Sequence, residues 1–121
     1  MDIKYEVTIT EVGKLAREFL ENNNSVIILN EGIHPNLADM VVAHTVSELA
    51  ADIEVGDKLK IGNADFKVMK VGDIANKTVR EEGHCTLVIN ADGSMPGQII
   101  VKGSVPPRLR IGDTIKFFKK S

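Results

Sequence analysis

The chain reads as a mainly-β protein: a small β-barrel or barrel-like sandwich with one N-terminal helix and a candidate second, short helix. Three observations predict this. Short segments with apolar residues at every second position recur along the whole chain. Gly, Asn, Asp and Pro separate them at close intervals, as in small barrels and sandwiches. Only the stretch from Val12 to Leu20 keeps a clear helical repeat.

Taken in order, Ile3, Tyr5, Val7 and Ile9 alternate with polar residues and predict a strand over 4–10. Val12, Leu15, Ala16, Phe19 and Leu20 follow the i, i+3, i+4 rule and predict an amphipathic helix, ended by Asn22-Asn23-Asn24. Val26-Ile27-Ile28-Leu29 is a short buried strand, and Gly32 and Pro35 turn the chain. From Met40 to Ser47 two signals compete. Ala38, Ala43, Ala50 and Ala51 favour a helix, while Val41, Val42, Thr45 and Val46 favour a strand. The β-branched residues decide for a strand.

Lys58–Ile61, Gly62-Asn63 and Phe66–Val71 form a hairpin pattern. A short helix is expected over Ile74–Glu82, with Asp73 or Asn76 as its cap and Gly83 just past its end. Cys85–Asn90, Gln98–Lys102 and Thr114–Phe118 read as strands. Val55-Gly56-Asp57-Lys58-Leu59-Lys60-Ile61 resembles Ile111-Gly112-Asp113-Thr114-Ile115-Lys116-Phe117. A shared turn at two barrel corners accounts for that likeness.

The 121 residues suit a single domain, 1–121, large enough to bury its own core. There is no run of about 18 apolar residues for a membrane span, and no basic-then-apolar start typical of a secretion signal. One cysteine, Cys85, excludes an internal disulfide and suggests the cytoplasm. A net charge of −2 with few aromatic rings speaks against a nucleic-acid binder.

Neither a GxxxxGK[ST] loop nor a strand-borne GxGxxG is present, so no nucleotide cofactor is expected. His34, His44 and His84 lack the spacing of metal ligands, and no metal is expected either. Cys85 lies in an apolar strand and reads as a packing residue rather than a nucleophile. His34, before Pro35, is expected to be exposed. His84 stands where a loop enters a strand, as a structural residue or an active-site neighbour. His44 differs from both. It sits in a row with Met40, Val42 and Val46, inside a segment 18–57 that holds eight acids and no Lys or Arg. An imidazole is a competent nucleophile near neutral pH, and phosphoryl transfer asks mainly for position and charge stabilisation.

The order Glu31-Gly32, His44, Glu48-Leu49, Arg80-Glu81, Gly83-His84, Thr86-Leu87, Pro96-Gly97, Val105-Pro106 and Lys116-Phe117 resembles a known family over about Tyr5 to Phe117. That family is the glucitol/sorbitol-specific enzyme IIA component of the bacterial phosphoenolpyruvate-dependent sugar phosphotransferase system. The resemblance implies a β-barrel phosphotransferase component. Its acceptor would be Nε2 of His44, its donor the phosphocarrier HPr, and its recipient the IIB unit of the IIB/IIC sugar permease. Members of the family carry a second histidine two residues on, where Val46 stands here, which leaves His84 as the matching histidine able to assist. Thr45, Ser47 or a backbone carbonyl is expected to hold the other ring nitrogen, and the phosphoryl charge to be offset by backbone N–H groups, by His84, by distant bases such as Lys58, Lys60 or Lys102 folded nearby, or by the partner. The alternative is a regulatory or binding β-barrel module without phosphotransfer.

Overall fold

A computed structural model describes residues 2–119. Its elements are β1 (Asp2–Val12), α1 (Ala16–Asn23), β2 (Ser25–Asn30), a 3₁₀ turn (Pro35–Leu37), β3 (Val42–His44), β4 (Lys58–Ile61), β5 (Ala64–Val71), α2 (Ala75–Glu82), β6 (Cys85–Ile89), β7 (Gln98–Lys102) and β8 (Thr114–Lys119). The eight strands close into a barrel in the order β1-β3-β2-β6-β7-β5-β4-β8. The expected barrel with two helices is therefore the observed one.

Alternation along each strand sorts the side chains. Tyr5, Val7 and Ile9 from β1, Val26 and Ile28 from β2, Leu59 and Ile61 from β4, and Leu87 from β6 point inward and are buried. Ile99 and Val101 from β7 and Ile115 and Phe117 from β8 complete that interior. Mostly polar and charged residues alternate with them on β1, β4, β5 and β8, whereas β2, β6 and β7 carry Ile27, Val88 and Ile100 at alternate positions. The barrel mixes pair types: β2 with β3 and β6 with β7 are parallel, and the other six pairings are antiparallel.

Four sequence expectations shift. Val12 belongs to β1 rather than to the helix, because it pairs with Val42 beyond a bulge at Ile9/Glu11. The helix then starts at Ala16 and ends on Asn24, whose left-handed conformation (φ 54°) lets its N–H reach Leu20 O. The strand expected across Met40–Ser47 shrinks to Val42–His44. After His44 the chain runs on beside β1 without regular strand pairing, Thr45 and Ala50 donating to Thr8 O and Lys4 O, then crosses over to β4, burying Leu49 and Ile53 as it goes. Neither Asp73 nor Asn76 caps α2, whose N-cap is Ile74 without a side-chain bond. The Asn76 amide instead pins the crossing segment, accepting from Ile53 N at 2.7 Å and donating to Ile53 O at 3.0 Å.

The two Gly-Asp corners do share one solution. Gly56 and Gly112 both adopt φ +94°, and the strands they launch, β4 and β8, pair side by side. Asp57, one of the eight acids of 18–57, does not lie on the surface. It is buried and takes a 2.7 Å ion pair from the equally buried Lys4, whose ammonium also reaches Glu54 and Asp52 O. Burial disfavours the charged ammonium, but the hydrogen bonds and charges of Asp57 and Glu54 outweigh it and raise the Lys4 pKa.

Candidate functional site

His44 ends β3, between Ile9 of β1 and Asn30 of β2. Parity with Val42 turns its imidazole into the barrel, where it is fully buried. The row of Met40, Val42, His44 and Val46 read from the sequence is therefore not a row on one surface. Val42 and His44 face the interior, while Val46, beyond the strand, is 69% exposed.

The ring is held from both ends. Nδ1 lies 2.8 Å from Thr45 O, and Nε2 lies 2.9 Å from Gly83 O. A backbone carbonyl thus holds the first nitrogen, one of the three expected partners. Thr45 is itself fixed against β1. Its N–H donates to Thr8 O, and its Oγ1 accepts from Thr8 N, both at 2.9 Å. A neutral imidazole has one N–H donor, so it satisfies one of the two carbonyls and turns a lone pair on the other. A protonated ring donates to both.

Gly83 follows α2 in a left-handed conformation, φ +61°. The β2–β6 register, with Ile28 opposite Cys85, continues to place Asn30 opposite Gly83. The approach is so close that a Cβ on Gly83 would stand 2.1 Å from Asn30 Oδ1 and 2.6 Å from His44 Cε1. Only glycine meets both demands. The carbonyl over Nε2 also belongs to the C-terminal end of α2, where the helix dipole is negative and favours a cation over an anion.

Three further groups line this end of the barrel. The Tyr5 ring meets His44 edge-on, with centroids 6.1 Å apart and an interplanar angle of 86°. Tyr5 OH and Asn30 Oδ1 are buried without a hydrogen-bond partner. Burial, with Cys85 nearby, pushes the Tyr5 hydroxyl up to about 12. Burial alone pushes the Cys85 thiol up to about 12, leaving no thiolate near neutral pH and supporting its reading as packing.

The other histidines lie outside this interior. His84 directly follows Gly83, its N–H bonded to Thr78 O and its carbonyl to Thr78 Oγ1. Alternation with the inward Cys85 turns its ring toward the outer face, where Nδ1 is buried without a partner. No hydrogen bond joins it to His44 among the described residues. His34 is exposed, as expected, but its Nε2 lies 2.8 Å from Glu82 Oε1 and ties the loop after β2 to the last turn of α2. Lys58, Lys60 and Lys102, one of the alternative sources of charge for the phosphoryl group, stand on β4 and β7, each three strands around the barrel from β3, so that alternative falls. Two other bases are engaged in ion pairs: Lys4 with Asp57, and Arg80 with Asp52 at 2.8 Å. Asn30 and Gly83 escaped the sequence reading as site residues. The available signal was parity, since Asn30 continues the inward series Val26, Ile28.

The barrel fold is shared by a solved structure. "The Crystal Structure of PTS System IIA Component from Enterococcus faecalis V583" superposes with a TM-score of 0.83 at 26% identity, covering 94% of this chain and 99% of that one. A family model described as "PTS system glucitol/sorbitol-specific IIA component" matches residues 4–116. The chain belongs to this family of sugar phosphotransferase components. It is 30% identical over 119 residues to the "PTS system glucitol/sorbitol-specific EIIA component" of Shigella flexneri and to that of Escherichia coli (strain K12). Each alignment spans 97% of this chain and 96% of the relative.

Proposed function

We propose that this chain, as one domain, is a cytoplasmic phosphoryl carrier with His44 as its acceptor. Nε2 takes the phosphoryl group from phospho-HPr and yields it to the IIB unit of a glucitol/sorbitol permease. In the first transfer the donor's P–N bond breaks as the P–N bond to His44 Nε2 forms, and the departing imidazole keeps the electron pair. In the second, His44 is the leaving group. No cofactor or metal is required by either step.

The observation that carries this reading is the opposed pair of carbonyls on one imidazole. With the proton on Nδ1 donated to Thr45 O, Nε2 holds the nucleophilic lone pair. That lone pair then faces Gly83 O, a mismatched contact and so the weaker of the two. A phosphoryl group on Nε2 cannot share that space, and the negative end of α2 would repel it. Transfer therefore requires the 83–84 turn to swing away or the ring to rotate outward. His84 moves with that turn, and its unpartnered Nδ1 makes it the candidate auxiliary group for the phosphoryl oxygens.

Incubation with phosphoenolpyruvate, enzyme I and HPr tests the proposal. The parent chain gains an acid-labile, base-stable phosphoryl group, and the His44→Gln protein gains none. The second reading, a regulatory or binding barrel without transfer, draws on the same closure over Nε2. It holds if the folded parent chain is never labelled.

A further inference from the structure

The outer face of the barrel carries lysines in cross-strand register. Lys102 of β7 pairs with Lys67 of β5, and Lys67 pairs with Lys58 of β4. Lys60 of β4 pairs with Lys116 of β8 in the next row. Like charges directly opposite each other destabilise a sheet, whereas alternating signs would stabilise it. Two acids border the group, Asp65 opposite Lys60 and Glu6 opposite Lys116. None of the five lysines forms an ion pair among the described residues. The face thus keeps an electrostatic cost that the fold does not need.

Its position is specific. The row centres on β5, and β5 lies four strands from β3 whichever way the barrel is followed, through β2, β6 and β7 or through β1, β8 and β4. The lysines therefore occupy the wall opposite the strand that bears His44. The base-free segment 18–57 contains β3 and much of the chain's acid. Four of its acids, Asp39, Asp52, Glu54 and Asp57, are paired with Lys14, Arg80 and Lys4, whereas the lysines around β5 have no such partners among the described residues.

We propose that the Lys58–Lys67–Lys102 face docks on an anionic phospholipid surface. Two features favour lipid over an acidic protein. All five cations are Lys and none is Arg, so the face offers mobile point charges rather than the planar forks that recognise individual carboxylates. Apolar side chains flank the row: Phe118 is next to Lys58 in register, and its other partner Ile3 is 45% exposed. Basic charge beside exposed apolar groups suits a headgroup layer. A chain docked this way keeps its β3 side turned toward the cytoplasm. The proposal does not depend on His44 being phosphorylated.

Co-sedimentation with phosphatidylcholine vesicles, with and without about 30% phosphatidylglycerol, tests it. At about 25 mM salt the chain is expected to sediment with the anionic vesicles only, and to be released at about 500 mM. Lys58→Gln/Lys67→Gln/Lys102→Gln should weaken binding on the order of a hundredfold, from roughly fivefold per lysine. Lys14→Gln/Lys77→Gln should bind like the parent. The triple variant should fold at least as stably as the parent, since it relieves cross-strand repulsion, so its lost binding cannot be put down to unfolding. No binding to anionic vesicles at low salt, equal binding to neutral ones, or undiminished binding by the triple variant overturns the proposal.

Discussion

The carbonyl oxygen of Gly83 stands 2.9 Å from Nε2 of His44, in a chain where glycine alone fits beside the ring. Gly83→Ala should therefore damage fold and site together. The left-handed backbone and the forced overlap with Asn30 and His44 cost about 2–5 kcal/mol together. Urea denaturation checks the stability loss. A variant as stable as the parent would show that the turn is not fixed by these contacts.

Lys4 and Asp57 form the buried ion pair. Lys4→Met leaves the Asp57 carboxylate buried without its partner and should destabilise the chain by about 3–5 kcal/mol. Lys4→Met/Asp57→Leu should recover a large part of that loss. A double-mutant cycle in urea reads the coupling, and simple additivity would refute it.

Cys85 and Tyr5 should contribute to a loss of stability at alkaline pH. Both pKa values are raised to about 12 in the folded chain, from 9.0 and 10.0. The unfolded chain loses these protons first, so their contribution is complete below about pH 9 and disappears as pH rises toward 12. Denaturation midpoints should fall across that window, less steeply for Cys85→Ala. Iodoacetamide at pH 8.5 should label the folded chain far more slowly than the unfolded one. Rapid labelling of native Cys85 would contradict its burial.

The strands were legible because a barrel wall writes its two sides into alternate residues: Leu59 and Ile61 against Lys58 and Lys60, for example. The candidate acceptor His44 was legible for its residue type and its place in the family pattern, but its surroundings were not. A three-residue strand after a 3₁₀ turn leaves too few positions to show that Met40 and Val46 lie outside the sheet. The partners of the ring come from three distant places, Tyr5, Asn30 and Gly83, joined only by β1–β3–β2–β6 neighbourhood. Pairing order is a tertiary property, and local periodicity does not encode it. The far placement of Lys58, Lys60 and Lys102 follows from the same barrel closure.

The exposed acids Glu31 and Glu48 lie directly after β2 and in the segment that follows His44. If a basic donor face approaches there, Glu48→Lys should slow phosphoryl transfer at about 20 mM salt and matter far less at about 500 mM, since exposed charges are screened beyond about 8–10 Å. Stopped-flow transfer rates across salt check this. A rate indifferent to both salt and Glu48→Lys would remove electrostatic steering from the account.

The most direct test places the phosphoryl group on an atom. Phosphorus-coupled NMR of the imidazole, after incubation with phosphoenolpyruvate, enzyme I and HPr, distinguishes the three histidines and both nitrogens of each. The account predicts a single phosphorylated ring, His44 at Nε2, with the Gly83 and His84 amide signals shifted as ring and turn part. His34→Gln should leave this spectrum intact and His44→Gln should abolish the phosphorylated signal. A phosphoryl group on His34 or His84, or robust labelling of the His44→Gln protein, would contradict it.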